Sequence, residues 1–173
     1  MDKLNIGVPR ALEFEYGDAV KLDKIDKNIL LLLSQQGRAS IAEIAHHLKI
    51  SRDVVKYRLD RLVKLKVIQG FVAVVNPAKL GLPNMVTVTI SFLSVNPERE
   101  KKLIAYLKSA PYIVYASKVL GRWDLLLEIY SKHNKHLYEI LNDIREKFSD
   151  VIKDMEIIPA ICEYKWKEFP GVI

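Results

Sequence analysis

Apolar residues recur at helical spacing through the first half of the chain. Ile25, Ile29, Leu32 and Leu33 form one stripe. Asp23, just ahead of it, has a side chain suited to capping a helix, and Asp26 three residues on favours the same positive dipole end. Gly37 stands where a C′ glycine closes a helix. Ser40-Ile41-Ala42-Glu43 reads as a capping box opening a second helix, with Ile41, Ile44, Ala45 and Leu48 on its buried side. The short turn Leu48-Lys49-Ile50 leads to Ser51, the cap of a third helix that runs to about Lys64. Lys49 occupies a turn position where glycine is common.

The period then changes. Residues 67–75 are β-branched and predict a strand that ends at Asn76-Pro77. Residues 76–83, with Gly81 and Pro83, form a boundary. Beyond it Val86, Val88, Ile90 and Phe92 alternate with Thr87, Thr89 and Ser91, a half-buried strand. Pro97 opens a helix carrying Leu103, Ile104 and Leu107. Residues 113–120 predict a strand, Gly121-Arg122 a tight turn and residues 123–130 the returning strand. Leu137, Leu141, Ile144 and Phe148 make one helical stripe, and residues 151–164 close with a strand. Pro159 cannot donate to a ladder, so its strand is expected at an edge or bulged. The order β-α-β-β-α-β predicts a ferredoxin-like sheet with both helices on one face, and the class is α+β. The chain thus divides into an arm (1–20), a helical unit (21–75), a linker (76–83), a ferredoxin-like domain (84–165) and a tail (166–173).

Charge sharpens the picture for the helical unit. Residues 21–70 hold eleven lysines and arginines against five acids, which equals the net +6 of the whole chain. The flanking segments, −2 for residues 1–20 and +2 for residues 71–173, cancel. A local basic excess concentrates a polyanion at that surface; DNA, RNA and an anionic membrane all fit it. The lone Cys162 rules out an internal disulfide and reads as a small buried apolar residue. No apolar run approaches a membrane span and no secretory pattern opens the chain, so a place in the reducing cytosol is expected.

The third helix carries the candidate chemistry. Wound at about 100° per residue, it turns Val55, Leu59 and Leu62 to the core. Asp53, Lys56, Tyr57, Asp60, Arg61 and Lys64 fall on the opposite side, with Val54 at the margin. Ser51 and Arg52 stand at the N-terminus, where free N–H groups attract phosphate. Residues 51–57 are placed to meet base edges, where Arg or Lys hydrogen-bonds guanine and Val54 meets a thymine methyl. Arg61 and Lys64, further along, are placed for phosphate, and Ser40 at the second helix is a further candidate DNA-binding residue. Arg58 lies between the two faces and is expected to pair with an acid or carbonyl inside the domain.

At these residues the chain resembles the Lrp/AsnC family of transcriptional regulators. The matching pieces are Leu22-Asp23-x-Ile25-Asp26, Ile29-Leu30, Gly37-Arg38-Ala39-Ser40, Ile44-Ala45, Leu48-x-Ile50-Ser51, Val55, Arg58, Leu62, Val67-Ile68-x-Gly70 and Leu80-Gly81. Gly121-Arg122-Trp123-Asp124 is similar to the family's Gly-x-Tyr-Asp. The resemblance implies a winged helix-turn-helix joined by a strand to a ligand-sensing domain. It also implies homodimers through that domain that assemble to octamers, and an amino acid or similar effector near the Gly121 turn. Leu120, Gly121, Arg122, Trp123 and Asp124 are then the candidate effector residues, with Asp124 an acceptor for an amine. Trp123 replaces the usual tyrosine, and Leu120 a small polar residue. Either the effector differs, or none binds and the segment is a hairpin turn with a packed aromatic.

Other chemistry finds little support. His133-x-x-His136 has no acidic or thiol partner nearby and reads as a solvated face, and His46-His47 point in different directions. No phosphate loop or nucleophile set is present, so no catalytic residues, metal or cofactor are expected. Two alternatives to a sequence-specific regulator remain: an architectural DNA-binding protein of low specificity, and a haem-pathway decarboxylase of the same architecture.

Overall fold

The computed structural model describes residues 18–93, 96–162 and 164, which fall into two compact units, one reaching Val74 and the other Val75–Tyr164. The first contains α1 (Lys24–Gln35), α2 (Ile41–Leu48) and α3 (Arg52–Lys64). Each helix begins on a residue whose side chain accepts orphan N–H groups. Asp23 takes those of Ile25 and Asp26, Ser40 that of Glu43, and Ser51 that of Val54. Ile29, Ile44, Ala45, Val55 and Leu62 form the buried core, and Leu59, Val67 and Ile68 pack on it.

Lys49 ends α2 in the left-handed conformation (φ 54°, ψ 43°), which turns the chain sharply toward α3. A side chain there is strained, so Lys49→Gly is expected to stabilise the unit by about 1 kcal/mol, read as a rise in Tm.

Several expectations are corrected. Ile41 stays exposed, because it faces out from the first turn of α2. Gly37 stands at C′ of α1 as expected but without a positive φ, because α1 ends through Gln36 (φ −134°, ψ 74°) and not through a left-handed cap. Residues 67–75 do not form a strand. Val67 and Ile68 donate to the carbonyl of Leu62, but beyond them no described strand supplies a ladder, and Phe71, Val72, Val74 and Val75 stand exposed. β-branched residues favour a strand only where a partner strand is present.

The second unit is a four-stranded antiparallel sheet in the order β2-β3-β1-β4. Its elements are β1 (Asn84–Phe92), α4 (Pro97–Ser109), β2 (Ile113–Lys118), β3 (Leu125–Ser131), α5 (Asn134–Lys147) and β4 (Ile152–Pro159). Val86, Val88 and Ile90 with Leu125, Leu127 and Ile129 turn one face of the sheet to Leu103, Leu107, Leu141 and Ile144 of the helices. Arg99 of α4 reaches the carboxylate of Asp150 and the carbonyl of Lys147, clipping the two helices together. β4 is an edge strand with Pro159 as its last residue, and just past it the Ala160 N–H donates to the Met85 carbonyl at 3.0 Å. It ends there and not at Tyr164, and Cys162 beyond it is exposed, not buried. The connection between β2 and β3 is longer than a two-residue turn: it runs from Val119 to Asp124, and Trp123 lies in it, outside the returning strand.

Candidate nucleic-acid interface

The helix α3 is anchored on one side and open on the other. Val55 and Leu62 are fully buried, with Leu59 packed beside them. Ser51 is extended, and its hydroxyl accepts the Val54 N–H at 3.3 Å, which leaves the N–H groups of Arg52 and Asp53 directed outward. Arg52, Asp53, Val54, Lys56, Tyr57 and Lys64 are all exposed. Among the described residues Arg52, Lys56 and Lys64 make no ion pair, so their charges are available to a partner. Tyr57 stands 66% exposed from the centre of this row.

The two middle arginines behave differently from these cations. Arg58 pairs with Asp23 and reaches Asp26 at 3.2 Å, as expected of a residue between the two faces. Arg61 does not project with Lys64. Its Nη1 lies 2.8 Å from Asp26 and its Nη2 donates to the Lys21 carbonyl at 3.4 Å. In the chain alone Arg61 is therefore engaged inside the domain, unlike Lys64. The cause is Asp26, which is only 1% exposed and, as a buried carboxylate, requires opposite charge and hydrogen bonds. The hydrogen bond to Asp23 is the main cause that raises the Arg58 pKa above the usual guanidinium range. The Asp26 N–H, and after it Arg58, hold the Asp23 carboxyl below the usual carboxylate range.

Ser40 is also committed within the chain. Its hydroxyl accepts from the Glu43 N–H at 3.2 Å, and its own N–H donates to the Glu43 carboxylate at 2.7 Å. That backbone bond lowers the Glu43 pKa and leaves Ser40 only its hydroxyl proton for a phosphate, beside a negative charge.

The structure gathers the candidate effector residues in the β2–β3 connection. Leu120 is fully exposed at its tip, and Gly121 follows with φ +144°, a conformation open to glycine. The Arg122 guanidinium stacks 4.9 Å from the Trp123 ring. Asp124 is engaged: its carboxylate accepts the Phe92 N–H at 2.8 Å, and its N–H donates to the Ile90 carbonyl at 2.9 Å. It thus holds the end of β1 where the register with β4 shifts. Asp124→Ala is expected to lower the stability of this unit by about 1.5–3 kcal/mol, the range for a hydrogen bond to a charged group, read by chemical unfolding.

His133 and His136 are used as helix caps. The Nδ1 of His133 accepts the His136 N–H at 3.1 Å, and the Nδ1 of His136 accepts the Lys132 N–H at 3.2 Å. The pair caps the start of α5 on a side where His133 is exposed and His136 half-buried. Among the described residues no group of three or more metal-ligating side chains comes together, and no helix is long and apolar enough to cross a membrane.

Comparison with known proteins places this geometry. Residues 22–69 match the family model described as winged helix-turn-helix DNA-binding. An uncharacterised HTH-type transcriptional regulator of Pyrococcus horikoshii is 32% identical over 151 residues, 85% of this chain and 90% of that protein. The HTH-type transcriptional regulator LrpA of the same organism is 30% identical over 84% of this chain and 99% of its own length. Among solved structures, a Neisseria meningitidis transcriptional regulator in complex with L-Met superposes with a TM-score of 0.80 at 19% identity, over 86% of this chain and 95% of that one. An AsnC family transcriptional regulator from Agrobacterium tumefaciens gives a TM-score of 0.80 at 22% identity, with the same coverage of 86% and 95%.

Proposed function

The chain belongs to the Lrp/AsnC family of HTH-type, DNA-binding transcriptional regulators, and from that premise we propose how its own residues carry the work. Arg52, Lys56 and Tyr57 meet base edges in the major groove, Val54 meets a thymine methyl, and Lys64 meets the phosphate backbone. The observation that carries this reading is the contrast along α3. Its N-terminal and outward side chains are exposed, while the arginines that face α1 are paired inside the domain.

A homodimer would place two copies of α3 about one DNA turn apart, or a multiple of it, so target sites would be near-palindromic. The exposed, strand-prone Phe71, Val72, Val74 and Val75 support a second chain as partner. Assembly to an octamer belongs to the same proposal. Footprinting on random genomic fragments tests the DNA reading. Protection of a few near-palindromic sites at physiological salt supports it; equal protection of all fragments sinks it in favour of an architectural role.

We extend the reading to a small effector at the Gly121 turn. The relative solved with L-Met shares the fold, and the apolar Leu120 with the Trp123 ring suits a hydrophobic amino-acid side chain. A thermal-shift screen against the twenty amino acids is the test, since a ligand of the folded state raises apparent stability. No shift with any of them would remove the effector from the proposal.

A further inference from the structure

We infer that Asp26 is a specificity-determining residue: it withholds Arg61, and together with Asp23 also Arg58, from sequence-independent contact with the DNA backbone. This rests on the reading that α3 lies against DNA.

Asp26 sits at the start of α1, one turn before Ile29, with its carboxylate buried. One oxygen accepts from Arg61 at 2.8 Å and from the Asp23 N–H at 3.2 Å; the other accepts from Arg58 at 3.2 Å. Two carboxylates therefore neutralise two guanidiniums on one flank of α3, and the same bonds pin that flank to α1. Arg61 lies one turn before Lys64 and, although it is turned to Asp26, its side chain keeps 32% exposure, so on release it could reach a phosphate. Released, it would add a contact of the kind that supplies affinity to any sequence. The pinning also fixes the pitch at which Arg52 and Lys56 reach the groove. A loosened α3 adapts to random DNA, whereas a cognate site already dictates its seat.

The inference predicts an inverted result for removal of a buried charge. Asp26→Asn keeps the shape and a hydrogen-bonding side chain but loses the negative charge. Its affinity for random DNA should rise at low salt, with the slope of log K against log salt steeper by about 0.9 for each arginine released per bound copy. One such contact changes affinity about 3.5-fold across a fourfold change in salt. The gain on a cognate site should be smaller, so the ratio of site to random binding falls. A residue that only supports the fold would instead weaken both and leave the slope unchanged, and that outcome overturns the inference.

Arg61→Met provides a second reading that does not depend on how Asp26→Asn folds. It keeps the apolar stem and removes the charge. An unchanged salt slope on random DNA agrees with a sequestered Arg61; a slope shallower by about 0.9 per copy places Arg61 on phosphate and overturns the inference. Lys64→Ala separates this from failure of the DNA reading. A slope shallower by about 0.9 per copy puts α3 on DNA, and no change at Lys64 takes away the reading and the inference together.

Discussion

Leu62→Ala is expected to abolish DNA binding by unfolding the helix-turn-helix unit. Leu62 is fully buried and, among the described residues, belongs to a core of five buried apolar side chains drawn from all three helices. Removing a large aliphatic side chain from such a site costs about 2–5 kcal/mol, because the cavity refills only in part. Small domains commonly hold about 5–15 kcal/mol in total, and a three-helix unit falls at the low end. The carbonyl of Leu62 also receives the N–H groups of Val67 and Ile68, so disorder at this position frees the exit from α3 as well. Hydrogen exchange gives the measurement. Amides of α1 to α3 should lose protection, while those of β3, seated in a separate core, keep theirs. A variant that bound DNA like the parent would refute the claim that this core holds the reading helix.

The helices and the sheet order were legible because their signals are local. Asp23, Ser40 and Ser51 are caps whose geometry needs only the next three residues, and the structure uses all three. The alternation from Val86 to Ile90 likewise needs only one buried face. What could not be read from spacing depends on a distant partner. Residues 67–75 have strand composition but no ladder, and composition does not report that lack. Arg61 has the helical position of a phosphate contact, and only α1 packing against α3 brings Asp26 within 2.8 Å of it. A signal was nevertheless present. Asp26, Ile29, Leu30 and Leu33 repeat at intervals of three, four and seven along one helical face, so an acid stood in an apolar stripe and required a cation. The pairing of Arg58 was foreseeable from its place between faces, whereas the bond by which Asp124 holds Phe92 spans 32 residues and leaves no local signal.

The double variant Arg52→Ala, Lys56→Ala is expected to lose sequence-specific binding while remaining folded. Both side chains are exposed and unpaired on α3, so their truncation removes no core contact and little stability. A bidentate contact to a guanine edge discriminates by about 1–3 kcal/mol, or about 5- to 150-fold for each residue. Losing two such contacts brings a cognate site close to the level of random DNA. The single variants carry the finer information. Each should relax preference at its own base position, whereas Lys64→Ala should weaken all sequences alike and make the salt dependence shallower. Equal weakening on every sequence by Arg52→Ala and Lys56→Ala would mean that both sit on phosphate. The outward row of α3 would then retain Ser51, Asp53, Val54 and Tyr57 as base-facing groups, with hydroxyls and one carboxylate but no guanidinium or ammonium for a guanine edge. Specificity would then rest on those weaker contacts and on DNA shape, and near-palindromic sites would be marked by deformability more than by fixed guanines at the half-site centres.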